Sequence, residues 1–251
     1  MDNNDYIFGI HSVIEAIEAG RTIDKILIKK DINGDLATRL TQLSRQQGIP
    51  VQRVPVERLN RFTRKNHQGV IAQIAAIEYT SLSSLMPTLF EDGVLPFIIV
   101  LDGITDVRNF GAIARTAECC GVNAIVIPSR GSVSVGADAV KTSAGALLHI
   151  PVCKESSTAS AVRYLRDSGC QIVCATEKSS ENYTLGNYTT PVALVMGAED
   201  TGISEEVLAM ADTRAAIPLF GNIESLNVSV AAGVMMYEVV RQRLADNLEI
   251  I

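Results

Sequence analysis

The sequence predicts an α/β protein in two parts. A small α/β unit covers residues 1–77, a linker covers 78–96, and a larger unit built on a mainly parallel sheet covers 97–251. Three observations carry this reading. Apolar runs at Phe97–Leu101, Ala124–Ile127 and Val192–Met196 have the length of buried strands. Stretches with helical spacing separate them. Polar segments rich in Gly, Asn and Ser follow directly beyond the strands, where open α/β sheets bind their ligands.

Taken in order, Ser12–Ala19 places Val13, Ile14 and Ile17 on one helical face, and Gly20 stops it. Lys25–Lys29 reads as a strand, Leu36–Gln47 as a helix ended by Gly48, and Val51–Val54 as a short strand. Gly69–Ile77 completes the first unit. The next stretch carries Ser81, Ser83, Ser84, Pro87, Asp92, Gly93 and Pro96, which is linker chemistry with room for one short helix. From there strands are expected at 97–101, 123–127, 171–175, 192–196 and 213–217, and helices at 110–120, 157–168, 204–210 and 227–243. Neither a tandem repeat nor a low-complexity tract is present.

With 47% hydrophobic and 20% charged residues, the chain has ample material for a packed core and no composition typical of disorder. No apolar run approaches the roughly 20 residues that span a bilayer. Met-Asp-Asn-Asn-Asp at the start is the opposite of a secretory leader. Five cysteines show neither a CxxC pair nor zinc spacing, so buried, reduced thiols, no metal and a cytoplasmic setting are expected. The net charge of −6 conceals an asymmetry: residues 1–77 hold 11 Lys+Arg against 8 Asp+Glu, and residues 78–251 hold 11 against 20. Arg53, Arg58, Arg61, Arg64 and Lys65 crowd into one short stretch. Charge alone fits a phosphate-binding face and a solvated helix face equally well.

Three segments place chemistry beyond strand ends. Leu101–Gly121 (LDGITDVRNFGAIARTAECCG) sets Asn109 where a helix would be capped, with Arg115 about one and a half turns later. Leu194–Ser204 (LVMGAEDTGIS) ends a strand at Gly197 and puts Glu199 in the following loop. Ile217–Glu238 (IPLFGNIESLNVSVAAGVMMYE) brings Ser225 and Asn227 just ahead of an apolar helix. No GxGxxG follows a strand, and Gly131–Thr142 lacks the GK[ST] ending of a phosphate-binding loop.

In order and spacing these segments resemble the three signature motifs of the SpoU branch of the knotted (SPOUT) RNA methyltransferases. The run Lys141, Ser143, Gly145, Ala146 resembles a connecting segment of the same family. The start Phe8-Gly9-Ile10-His11 and the close His67-Gln68-Gly69-Val70 make residues 1–77 similar to the small L30e-like RNA-binding domain that precedes the catalytic part in some members. The resemblance implies an α/β-knot domain with a trefoil knot, S-adenosylmethionine as methyl donor, a homodimer, and 2′-O-methylation of a guanosine ribose in RNA. The two-domain layout is that of enzymes acting on 23S ribosomal RNA. A tRNA guanosine enzyme and a noncatalytic RNA-binding, ribosome-assembly module that keeps the fold are the alternatives.

The resemblance places Asn109, Arg115, Glu199, Ser225 and Asn227 at the catalytic centre, and Thr176, Met196, Gly197, Ile217 and Leu226 around the cofactor. Arg115 suits a phosphate through its planar fork. Holding a phosphate demands no loss of its proton, whereas acting as a base opposes a guanidinium pKa above about 12. A surface ion pair is the ordinary alternative. Glu199 either handles the proton or caps the segment starting near Ser204, while Ser225 and Asn227 either position ligands or cap the last helix. Gly197, lacking a Cβ, is expected to let the chain approach the ligand. Ile217 and Leu226 read as plain core without the resemblance, and adenine is expected to meet mainly backbone groups. The small and apolar face of the last helix suits either the core or a second subunit.

Overall fold

The computed structural model describes residues 6–63 and 66–248. It divides into two compact units, the first reaching Glu78 and taking in Ser134–Asp138, the second holding Tyr79–Val133 and the chain from Ala139 onward.

In the first unit, β1 (Tyr6–Phe8), α1 (Ile10–Glu18), β2 (Ile23–Lys29), α2 (Asp35–Gln46), β3 (Val51–Val54), α3 (Val56–Leu59) and β4 (Val70–Ile74) form a four-stranded mixed sheet in the order β1-β4-β2-β3. Strand alternation sorts the side chains. Ile26, Ile28, Val70 and Ala72 pack with Val13, Ile14 and Ile17 of α1 and Leu40 of α2. Leu27 and Ile71 point the other way, toward Val54 and Leu59. The first-unit elements expected from the sequence all form; β1 and α3 are additional and short.

The second unit runs β5 (Tyr79–Thr80), α4 (Leu82–Glu91), β6 (Phe97–Asp102), α5 (Val107–Cys119), β7 (Ala124–Pro128), α6 (Ala137–Thr142, its start belonging to the first unit), β8 (Val152–Glu155), α7 (Thr158–Asp167), β9 (Gln171–Ala175), β10 (Val192–Gly197), α8 (Glu205–Leu208), β11 (Thr213–Ala215) and α9 (Val228–Leu248). Its seven strands are all parallel, in the order β11-β9-β10-β6-β7-β8-β5. From β6 the chain winds outward through β7 and β8, then returns so that β10 pairs with the other side of β6. That reversal opens a crevice at the carboxyl ends of β6 and β10, where Asp102 and Gly197 sit in register.

Residues 78–96, expected as a linker, are folded into the second unit. The serines mislead because they cap: Ser81 Oγ accepts the Ser84 N–H at the start of α4. Leu82, Leu85, Met86 and Leu89 recur at helical spacing, with Leu82 and Met86 buried beside Ile98 and Val100. β8, equally unexpected, is four residues long with only Val152 and Cys153 buried, too brief to declare a period.

The second half of α9 grips the loop before β10. Gln242 accepts the Tyr188 N–H at 2.8 Å and donates to the Gly186 carbonyl at 2.9 Å. Arg243 donates to the carbonyls of Leu95, Pro96 and Thr190 at 2.9 to 3.1 Å. Such charge-assisted bonds satisfy carbonyls that lie outside any ladder. Burial pushes the thiols of Cys153 and Cys174 up to about 12, so both stay protonated core groups. Cys119, by contrast, is exposed. Among the described residues no helix is long and apolar enough to cross a membrane.

Candidate functional site

The crevice is built by three loops of the second unit. After β6, Gly103 adopts a φ of 78°, and the chain turns into α5. Its cap is Asp106, whose carboxylate accepts the N–H groups of Arg108 and Asn109 at 2.8 and 2.9 Å. The sequence reading had put Asn109 at the cap. With Asp106 there instead, Asn109 lies inside the first turn and its side chain is released toward the crevice.

It meets Glu199 and Asn227. Asn109 Nδ2 donates to Glu199 Oε1 at 3.3 Å, and Asn227 Nδ2 donates to Glu199 Oε1 at 2.6 Å and to Asn109 Oδ1 at 3.0 Å. Asn227 Oδ1 accepts the Ser229 N–H at 3.0 Å, which fixes the orientation of its amide. Asn227 therefore caps α9 and joins the cluster with one side chain. Glu199 is also a cap, though not for the segment at Ser204: its Oε1 accepts the Val228 N–H at 3.2 Å, at the positive end of α9. Three donors converge on Oε1, and Oε2 faces outward with no hydrogen bond to any described residue.

Two adjoining cavities, with empty volumes of about 430 and 720 Å³, lie beside this cluster. That is the size range of small-molecule sites. Thr176, Met196, Ser225 and Leu226 line both, Ile217 lines the smaller, and Gly197 and Glu199 line the larger. The five residues singled out for the cofactor are thus brought to one place, with Glu199 at its edge. Ile217 is no core residue and no strand end, since β11 stops at Ala215. It is half-buried, and Leu226 is 37% exposed. Neither takes part in a backbone hydrogen bond among the described residues. Apolar side chains left open beside unpaired N–H and C=O groups suit the face and edge of a flat heterocycle.

Gly197 matters for a reason other than the one expected. A Cβ there would collide with the backbone of Gly202 and Ile203, so the glycine lets the loop after β10 fold back on its own strand. Asp102, which the sequence reading left without a role, ties the same loop down by accepting the Ser204 N–H at 2.8 Å. The available signal was a carboxylate ending an otherwise apolar strand. Gly197→Ala is expected to deform the 198–203 loop and to weaken binding of S-adenosylmethionine at least tenfold, checked by calorimetric titration. Gly103→Ala, at a site with only Ala198 nearby, should disturb binding less.

Arg115 is exposed on α5, six residues beyond Asn109 and therefore about 9 Å further along the axis. It makes no hydrogen bond or ion pair among the described residues, so it does not form the surface ion pair that was its ordinary alternative. In the first unit, Arg53 donates to the Lys30 carbonyl at 2.9 Å while Arg58 and Arg61 are exposed around the four-residue α3. Arg64 and Lys65 lie outside the described residues.

Comparison with known proteins agrees with this architecture. Residues 96–237 match the family model described as the SpoU rRNA methylase family, and residues 6–80 match one described as RNA 2′-O ribose methyltransferase substrate binding. A protein of Bacillus subtilis (strain 168), YacO, named for the TrmH family of tRNA/rRNA methyltransferases, is 35% identical over 96% of both chains. An AdoMet-bound rRNA methyltransferase from Sinorhizobium meliloti superposes with a TM-score of 0.59 and 26% identity, covering 94% of this chain and 86% of its own. The A. aeolicus TrmH/SpoU tRNA modifying enzyme gives a TM-score of 0.54 and 28% identity, covering 66% of this chain and 86% of its own.

Proposed function

Because this chain belongs to the SpoU rRNA methylase family, we propose that it transfers a methyl group from S-adenosylmethionine to the 2′-hydroxyl of a guanosine in 23S ribosomal RNA. The observation that carries this is the convergence of Glu199, Asn109 and Asn227 at the rim of the cavities lined by Met196, Ile217 and Leu226.

The methyl donor supplies an electrophilic carbon on a sulfonium; the ribose oxygen bonds to that carbon, the sulfur keeps the electron pair, and the hydroxyl proton leaves. The protein orients and deprotonates a weak nucleophile. Ile217 and Leu226 offer an apolar wall and free backbone groups to adenine. Glu199 is held by three donors on one oxygen, which leaves Oε2 to accept the hydroxyl proton or to steer it. Ser225 lines both cavities with its hydroxyl uncommitted. Arg115, charged and unpaired, takes the adjacent phosphate and draws charge away from the developing alkoxide. Asn109 and Asn227 position Glu199.

Ribosomal RNA is preferred over tRNA because the first unit, matched over residues 6–80, is shared with the rRNA enzyme that covers 94% of the chain, whereas the tRNA enzyme covers 66%. The first unit with its arginines recruits the RNA. The protein acts in the cytoplasm as a homodimer: Val230, Tyr237 and Leu244 stand exposed at intervals of seven along α9 and form an apolar stripe suited to a second copy. Incubation with tritiated S-adenosylmethionine and unmodified transcripts tests the substrate. Label is expected in the 23S transcript and not in tRNA, within a dinucleotide that resists alkali because the hydroxyl needed for cleavage is blocked. Label in tRNA alone reverses the substrate assignment, and label in neither leaves the noncatalytic alternative.

A further inference from the structure

The first unit has a recess of its own, with an empty volume of about 990 Å³, between the turn after β2 and the turn before β4. Asp31, Ile32 and Asn33 line it from one side, Asn66 and Gln68 from the other, and Val56 from α3.

Gln68 is the unusual residue. Its φ is +51°, a left-handed conformation that costs a side chain bearing Cβ about 1 kcal/mol or more and that glycine adopts freely. It is exposed, and its side-chain amide makes no hydrogen bond among the described residues, so packing gives no reason for glutamine here. The turn is nonetheless firmly braced. Gly69 N–H donates to His67 Nδ1 at 3.0 Å, which leaves Nε2–H to donate to Asn60 Oδ1 at 2.9 Å, and Val70 N–H donates to the His67 carbonyl at 2.9 Å. His67 itself is 8% exposed. Asn66 Oδ1 accepts the Gln68 N–H at 3.1 Å. A buried imidazole thus uses both nitrogens to hold a strained turn whose only projecting group is an unpaired amide. Across the recess the Asn33 amide is also without a hydrogen bond among the described residues. Ile32 and Val56 are half-buried between them.

We propose that this recess receives one unpaired base of the RNA substrate, with the Gln68 amide reading its edge. An amide offers a donor and an acceptor in one plane, the pattern that matches a base edge, and an aliphatic wall suits the base face. Asn33 and Asp31 complete the polar rim, Lys29 at the mouth suits a flanking phosphate, and His67 is a positioning residue. The same unit exposes Arg53, Arg58 and Arg61, which favours a polyanion over a neutral ligand. The proposal rests on the RNA methyltransferase reading above and adds the place where the substrate is selected.

The test compares the full-length parent with Gln68→Gly, which keeps the left-handed turn and removes the amide, and with Gln68→Ala. Filter binding to an unmodified 23S transcript, without S-adenosylmethionine, should give a Kd raised about tenfold for both, the loss of one good amide–base pair. The KM for RNA should rise in step, while the melting temperature of Gln68→Gly is equal to or above the parent's. If the parent binds and methylates the transcript and Gln68→Gly does so with unchanged Kd and KM, the recess is not a base site and the proposal falls alone. If the parent neither binds nor methylates RNA, the functional reading falls and takes the proposal with it.

Discussion

Glu199→Ala is expected to lower the rate of methyl transfer about 1,000-fold, within the range a positioned proton acceptor contributes. The carboxylate is exposed at the rim of the cavity, and its Oε1 already holds Asn109, Asn227 and the Val228 N–H. Removing it therefore also uncaps α9, at about 1 kcal/mol. Glu199→Gln separates the two roles, because a glutamine oxygen still accepts from the same three donors but does not take a proton at neutral pH. Unfolding in urea should show Glu199→Gln close to the parent, while single-turnover transfer remains lost. A glutamine variant with parental rate would mean that Glu199 only caps the helix.

The second large effect is expected at Arg115. Its guanidinium contacts no described residue, so Arg115→Ala should leave stability within about 0.5 kcal/mol, as at other exposed positions free of partners. Transfer to RNA should nevertheless fall by at least 100-fold, with S-adenosylmethionine affinity retained, because the lost group holds the nucleic acid rather than the cofactor. Arg115→Lys restores charge without the planar fork and is expected to recover only part of the rate. Steady-state kinetics with varied RNA provide the check. A drop in melting temperature matching the drop in activity would make Arg115 structural.

These effects were legible in the sequence to differing degrees. The buried strands were clear, since runs such as Phe97–Leu101 and Val192–Met196 are apolar throughout and bounded by turn residues, as parallel strands covered on both faces must be. Segments whose order depends on long-range packing were not. The serines of 81–84 read as loop composition until Leu82, Leu85, Met86 and Leu89 are seen on one helix face. The site was legible by motif, while the physical role of individual residues was not. Asn109 looked like a cap because the true cap, Asp106, stands three residues earlier. Gly197 looked like room for a ligand, although it makes room for the backbone of Gly202. That Glu199 caps a helix starting 29 residues later is a long-range fact, and no local pattern encodes it.

One measurement bears most directly on the account: a crystal structure of the protein with S-adenosylhomocysteine, the demethylated product. Adenine is expected between Ile217 and Leu226 with its edge on their backbone groups, and the sulfur is expected to face Glu199. Product seated outside the cavities lined by Met196 and Leu226, or with its sulfur turned away from the Glu199, Asn109 and Asn227 cluster, contradicts the assignment.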